Sequence, residues 1–335
     1  MRRFQWSLLL VAVLLLTTSC ATSAATSAVS DRGSVPSSSV AAAHNDTTTP
    51  FNLVSLPALV EHEYDAGPLR VDHLVADELA SRRFHVTYRS GPLTVSGQLS
   101  VPRRPGRLPL VVLAHGYESP GTYRSGVALA REQAFLAARG YVVLLTDYRN
   151  HADSDREGTE PVAEPLGYPE DVVNAVLAAR RLPFVDTGRV AVVGRSMGGG
   201  VALAAVAARP ELVDALVLYS PVSSDAVDNY RRWVAGRPDL EGRVRATYGT
   251  PGENPRFWRR ASVRNYVGRV DVPVQVHHGT ADEVCPVSWS RETVTALREA
   301  GQTVEYFEYP GEGHRLDAGW STMARRIAGF LDRHV

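Results

Sequence analysis

The chain contains no lysine: all 36 of its basic residues are arginine, balanced by 36 acidic ones. Lysine bases and Schiff-base chemistry are therefore excluded, and with a formal net charge of zero nothing points to nucleic acid or another polyanion as a partner. Isoleucine occurs once, at Ile327, which together with the missing lysine reads as coding bias rather than function. Cysteine occurs twice, at Cys20 and Cys285, too few for a disulfide framework. Cys285 reads as a small apolar thiol packed under a loop. The apolar run Leu8–Leu16 is too short to span about 30 Å of hydrocarbon as a helix. A metal site is not expected, because His277 and His278 are adjacent on a predicted strand, point to opposite faces, and have no third ligand at zinc-like spacing.

What is present begins with an address. Arg2 and Arg3 followed by Leu8–Leu16 have the form of an export signal over residues 1–20. The arginine pair resembles a twin-arginine signal but lacks most of the surrounding pattern. Thr17-Thr18-Ser19-Cys20 resembles the bacterial lipobox, which implies that Cys20 is lipidated and becomes the mature first residue. The alternative is ordinary cleavage near Ala21–Ala25 and release as a secreted protein. Residues 21–50, rich in Ser, Thr and Ala without apolar periodicity, read as a flexible tether. With 335 residues, 44% of them hydrophobic, the remaining 51–335 can bury one full α/β core.

Within that domain Phe84–Ser90 and Leu93–Val101 alternate around Gly91-Pro92, an antiparallel hairpin. Short apolar runs follow at 110–114, 141–146, 190–193, 215–220, 274–278 and 304–309, mostly separated by helical stretches such as 127–139, 170–181 and 291–300. Strands alternating with helices predict a mostly parallel sheet covered on both faces. The alternation breaks between Pro221 and Val272, where an Arg-, Trp-, Tyr- and Gly-rich segment predicts a small helical or irregular cap over residues 221–272. Tyr230, Trp233 and Trp258 in it either line an acyl or sugar pocket or glue the cap to the sheet.

Three motifs carry the chemistry. Gly194-Arg195-Ser196-Met197-Gly198 sits between an apolar strand and a small-residue helix, a turn that strains the serine backbone and projects its hydroxyl. Asp282 ends the turn after the 274–278 strand, and His314 lies in the glycine-rich loop Pro310-Gly311-Glu312-Gly313-His314 after the 304–309 strand. Serine, acid and histidine, each just past the carboxyl end of a parallel strand, converge on one crevice. A serine hydroxyl is a poor nucleophile at neutral pH, so His314 must take its proton, and Asp282 must fix the imidazole tautomer. The backbone N–H groups of Met197 and of Tyr117, the residue after His115-Gly116, are available for the oxyanion. Asp147 and Asp153, after the 141–146 strand, are alternative acids to Asp282. Glu118 reads either as a substrate contact or as a solvated loop carboxylate.

These residues carry a resemblance. GRSMGGGVAL at 194–203, HHGTADEVCPVSWS at 277–290 and YPGEGHRL at 309–316, with AHGY at 114–117 and TDYRNHADSD at 146–155, look like the α/β-hydrolase superfamily, specifically the prolyl oligopeptidase (peptidase S9) catalytic domain and its relatives among acetyl esterases and dienelactone hydrolases. The resemblance implies a serine hydrolase cleaving esters or amides through an acyl-enzyme, with Ser196, Asp282 and His314 as nucleophile, acid and base and no cofactor or metal. Two features depart from the peptidases. The stretch from 51 to about 90 is too short for the β-propeller that usually precedes this domain, and His115-Gly116-Tyr117 is closer to the motif of acetyl esterases. An ester is thus favoured slightly over a peptide as substrate, with the membrane reached only through the lipid anchor. The rival from another class is a catalytically retired scaffold acting as a binding protein of the cell envelope.

Overall fold

A computed structural model describes residues 54–157 and 164–335. The expected signal over 1–20, Cys20 and the tether over 21–50 lie outside the described residues. The strands are β1 (Arg70–Asp77), β2 (Ser81–Ser90), β3 (Leu93–Pro102), β4 (Leu108–Ala114), β5 (Val142–Thr146), β6 (Val185–Arg195), β7 (Ala215–Tyr219), β8 (Val274–Gly279) and β9 (Val304–Tyr309). The helices are α1 (Leu56–Glu61), α2 (Ala130–Ala138), α3 (Glu164–Arg180), α4 (Met197–Ala208), α5 (Ala226–Trp233), α6 (Pro238–Tyr248), α7 (Pro255–Ala261), α8 (Val287–Glu299) and α9 (Trp320–His334).

The strands make one sheet in the order β1-β2-β3-β5-β4-β6-β7-β8-β9. The first three strands are antiparallel to their neighbours, and from β5 to β9 the pairing is parallel throughout. β5, β7 and β8 are buried at every position, and β5 and β7 read as apolar runs because a parallel strand has helices on both faces. Alternate residues of β4 divide between two cores. Leu110 and Val112 pack with α1, α3 and α4, whereas Val111 and Leu113 pack with α2 and α9. α4 is apolar all round and buried almost throughout, as a helix wedged into the core must be.

Three differences from the sequence reading have local causes. β1 was not expected; it is an edge strand exposed along nearly its whole length and so shows neither alternation nor an apolar run. α2 begins at Ala130 rather than Val127, because Leu129 adopts a left-handed backbone (φ 54°) that starts the helix there. α3 begins at Glu164, ahead of Pro169, whose ring fixes a helical φ but looks like a breaker in sequence. The predicted cap is α5, α6 and α7 with a short 3₁₀ turn at Val263–Arg269. It has its own small core of Tyr230, Val244, Tyr248 and Trp258. The Tyr230 and Trp258 rings meet edge to face at 4.9 Å, and the Trp258 indole N–H donates to the Gly249 carbonyl at 3.0 Å. These two aromatics therefore hold the cap together; Trp233 is half-buried beneath the Arg232 guanidinium.

The order β5-β4-β6 matters for function. The chain leaves β4 toward one side of the sheet and returns through β6 on the other, so the loops after β4 and β6 part at their carboxyl ends and open a crevice.

Candidate active site

Ser196 stands at the junction of β6 and α4 with φ 57° and ψ −125°, a region that side-chain-bearing residues rarely occupy. The strain is held from several directions. The Ser196 N–H donates to the Tyr219 carbonyl of β7 at 3.1 Å, and its carbonyl accepts from the Gly199 and Val222 N–H groups at 2.9 and 3.1 Å. Gly198 is required by close approach: a Cβ there would run into the backbone carbonyls of Ala114 and His115 at the end of β4. As the first residue of α4, Met197 has an N–H without an intrahelical acceptor.

Asp282 follows β8 by three residues and His314 follows β9 by five. The two loops are stitched together. Thr280 N–H donates to the Tyr309 carbonyl and Ala281 N–H to the Glu312 carbonyl, both at 3.0 Å, and Gly311 N–H donates to the Thr280 hydroxyl at 2.9 Å. Gly279 makes this possible, since any Cβ on it would strike the Glu312 carbonyl.

The result is a continuous chain of polar contacts. His314 Nδ1 lies 2.8 Å from Asp282 Oδ2, and His314 Nε2 lies 3.0 Å from Ser196 Oγ. An ionised carboxylate only accepts, so Nδ1 carries the ring proton and Nε2 presents its lone pair to the serine hydroxyl. Asp282 Oδ1 accepts from the N–H groups of Val284 and Cys285 at 2.8 and 2.9 Å, and Oδ2 is also 3.1 Å from Nε2 of His278. Burial alone would raise this carboxyl, but hydrogen bonds from His278, His314 and Cys285 N–H outweigh it and hold Asp282 well below the usual carboxylate range. It is therefore charged at neutral pH, as an acid that orients an imidazolium must be.

The loop after β4 closes the other side. A Cβ on Gly116 would lie 3.1 Å from the Ser196 Cβ, so this loop runs directly against the serine, and Tyr117 follows with its side chain exposed. The loop is clamped by Asp147, which is fully buried at the end of β5. Its Oδ1 accepts from the Tyr123 and Ser125 hydroxyls at 2.8 and 3.0 Å, and its Oδ2 from Ser96 at 2.7 Å. The His115 ring stacks on Tyr123 at 4.7 Å and lies against Tyr148 at 4.4 Å. Burial lowers His115 to about 4, so it is a neutral packing element. Asp147 thus shapes the loop and makes no contact with His314, and Asp153 is exposed. The Glu118 side chain is exposed, and its carbonyl lies 3.1 Å from His151 Nε2.

Cys285 is fully buried behind Ser196; burial and the Asp282 charge push its thiol up to about 12, against a hydrogen bond with Ser196, so it is no thiolate at neutral pH. His277 and His278 face opposite sides of the sheet. His277 lies between Tyr309 and Gln275 at 2.9 and 2.8 Å, and His278 between Asp282 and Ser290. Among the described residues no three His, Cys, Asp or Glu side chains are gathered as a metal site. Two features of the site had no sequence signal strong enough to find them: the second imidazole on Asp282, and the hydroxyl clamp around Asp147.

The chain resembles several known proteins. It is 30% identical to the esterase LipC of Mycobacterium tuberculosis over 332 residues, covering 90% of this chain and 76% of that protein. It is 24% identical to the acylamino-acid-releasing enzyme of Arabidopsis thaliana over 216 residues; the match takes in 62% of this chain but only 28% of the plant protein. Among solved structures, acetyl xylan esterase 1 of a Thermoanaerobacterium species superposes with a TM-score of 0.65 at 18% identity, covering 84% of this chain and 93% of that one, a likeness of fold. Residues 127–335 match the model of the prolyl oligopeptidase family (Peptidase_S9). With the nucleophile turn, the two stitched loops and the sheet order all in place, the chain belongs to the prolyl oligopeptidase family of the α/β-hydrolase superfamily.

Proposed function

We propose that the protein is a serine hydrolase that cleaves small esters through an acyl-enzyme on Ser196. The observation that carries the reading is the unbroken path from Asp282 through His314 to the strained Ser196 hydroxyl. His314 Nε2 takes the Oγ proton as Oγ attacks the substrate carbonyl, and Asp282 stabilises the imidazolium that forms. The oxyanion is received by the N–H groups of Met197 and Tyr117. His314 then returns the proton to the departing alkoxide, and a water molecule repeats the sequence to release the acid. His314 carries both protons, the serine's to the departing alkoxide and the water's back to Ser196 Oγ.

An ester rather than a peptide is supported by the extent of the relatives. The match to a protein named as an esterase takes in 76% of its length, whereas the match to the acylamino-acid-releasing enzyme takes in 28%. Amide cleavage is the second reading, favoured by the family, since the triad is indifferent to the leaving group. Export rests on Arg2, Arg3 and Leu8–Leu16, and a lipid anchor on Cys20 in its Thr17-Thr18-Ser19-Cys20 setting. At about 0.8 kcal/mol per buried CH₂, two or three acyl chains make such attachment stable.

Fluorophosphonate labelling with peptide mapping tests the chemistry: the adduct is expected on Ser196, and no adduct there returns the chain to the class of retired scaffolds. A panel of short acyl esters beside aminoacyl and prolyl amides separates the two substrate readings. For the anchor, Cys20→Ser should move the protein to the soluble fraction, or leave the signal uncleaved, with specific activity unchanged. A wild-type chain that begins beyond residue 21 without lipid mass refutes it.

A further inference from the structure

Resting on the serine-hydrolase reading, we propose that His278 is a positioning residue that shares Asp282 Oδ2 with His314 and thereby sets the pH at which His314 becomes a working base. His278 is wholly buried near the end of β8. Its Nε2 faces two groups that can only accept, so it carries a proton: the N–H donates to the Cys285 carbonyl at 2.8 Å, and its positive edge lies 3.1 Å from Asp282 Oδ2. Its Nδ1 is 2.6 Å from the buried Ser290 hydroxyl of α8, which is free to rotate and complete the ring's bonding.

Asp282 is then surrounded, with two backbone N–H groups bonded to Oδ1, and the His314 N–H bonded to Oδ2 beside the His278 N–H edge. The electron density offered to His314 is divided. A shared oxygen stabilises the His314 imidazolium less than an unshared one does, so the base stays free to accept the serine proton at lower pH. The other ionisable groups around the pair come from every neighbouring element. Glu308 of β9 stands opposite His278 and is paired with Arg291 of α8. The charges of Arg195 on β6 and Arg232 on α5 reach the Cys285 thiol. Glu312 and Arg315 lie on the His314 loop.

The test compares His278→Phe, which keeps a ring and loses the donor, with His278→Gln, whose amide nitrogen can replace Nε2. In pH profiles of kcat/KM on a short-chain nitrophenyl ester, the half-plateau pH should rise by about 0.5 unit in His278→Phe and return to the wild-type value in His278→Gln. A purely structural role would lower kcat or melting temperature in both without moving the profile, and that result overturns the proposal. Should His278→Phe fail to fold, ¹⁵N NMR of histidine-labelled wild type decides, with the His278 resonances assigned from His278→Gln. Nε2 should be protonated, and a bare Nε2 overturns the proposal. The ring proton is read without substrate, so a wild type inert on every ester and amide defeats the hydrolase reading and leaves this measurement standing.

Discussion

Asp282→Asn discriminates most sharply, because every lone pair of this carboxylate is in use. Oδ1 accepts two backbone N–H groups and Oδ2 faces two imidazole nitrogens. An asparagine must therefore turn its NH₂ toward donors whichever way it is flipped. Facing Val284 and Cys285, the NH₂ would leave two buried N–H groups without acceptors, at about 1–3 kcal/mol each. Facing the imidazoles, it can be met if His314 moves its proton from Nδ1 to Nε2, a tautomer shift open to a ring and closed to a peptide. The second arrangement wins. It places a proton on the nitrogen that faces Ser196 Oγ, so the base can no longer accept. The loss expected in kcat/KM is about 10⁴-fold, or roughly 5.5 kcal/mol, with a much smaller change in stability. Asp147→Asn is the control. Its three partners are hydroxyls; the new NH₂ can donate to Ser96, which passes its own proton to Ser154 at 3.1 Å. Burial raises the Asp147 carboxyl, so a neutral amide there relieves a desolvation cost and activity should stay within about threefold of wild type. The assay is steady-state hydrolysis of a short-chain nitrophenyl ester beside thermal melting. An active Asp282→Asn and an inactive Asp147→Asn would refute the assignment of the acid.

Ser196→Ala should abolish turnover and fluorophosphonate labelling while the melting temperature stays put, since a single hydroxyl is removed; label at another serine would count against the nucleophile. Gly279→Ala should drive its methyl into the Glu312 carbonyl, part the two stitched loops and lower kcat by about 10²-fold, with about 1–3 kcal/mol of stability lost; unchanged kcat would mean that the His314 loop is not positioned by this contact. Acid should weaken the fold through its buried histidines. Burial lowers His115 to about 4 and His277 to about 3 from an ordinary value of 6.5. Between those limits the unfolded chain binds protons that the folded chain does not, so stability falls as pH drops below 6.5, by up to about 1.4 kcal/mol per pH unit for each group. Asp282 works at the lower end, where its depressed pKa gives stability that is present above about 3.9 and lost on further acidification. Equal urea midpoints at pH 7 and pH 5 would contradict the histidine contribution.

The parallel half of the sheet was legible because its chemistry is repetitive. Strands buried on both faces, such as Val142–Thr146 and Ala215–Tyr219, leave runs that no other element leaves at that length. The parts that escaped are those where burial does not write a pattern. Arg70–Asp77 is exposed on both faces, so its pairing with β2 depends on backbone hydrogen bonds that side chains do not announce. β6 begins at Val185 rather than Val190 for the same reason: Asp186, Thr187, Gly188 and Arg189 face outward, and pairing with β4 skips a register across them. In the cap, Tyr230 and Trp258 had two readings of equal standing because composition is the same for a pocket wall and a packing cluster. Contact with each other, and not with a cavity, decided it.

At the site the division follows sequence distance. The elbow, the acid turn and the histidine loop are each local, and the tight approaches that join them show as glycines at Gly198 and Gly279, so short words of sequence sufficed to place Ser196, Asp282 and His314 at the same edge of the sheet. The hydroxyl clamp on Asp147 draws Ser96, Tyr123 and Ser125 from two other segments, and serine and tyrosine are too common to mark such a meeting in advance. His278 is the instructive intermediate. Strand alternation correctly turned it away from His277, and that same alternation aims it at the side of the sheet where the acid turn folds back, four residues later, onto its Nε2. The pair His277-His278 showed only which face each ring takes, and the return of the turn, a tertiary event, is what separates a second partner of Asp282 from an ordinary buried histidine.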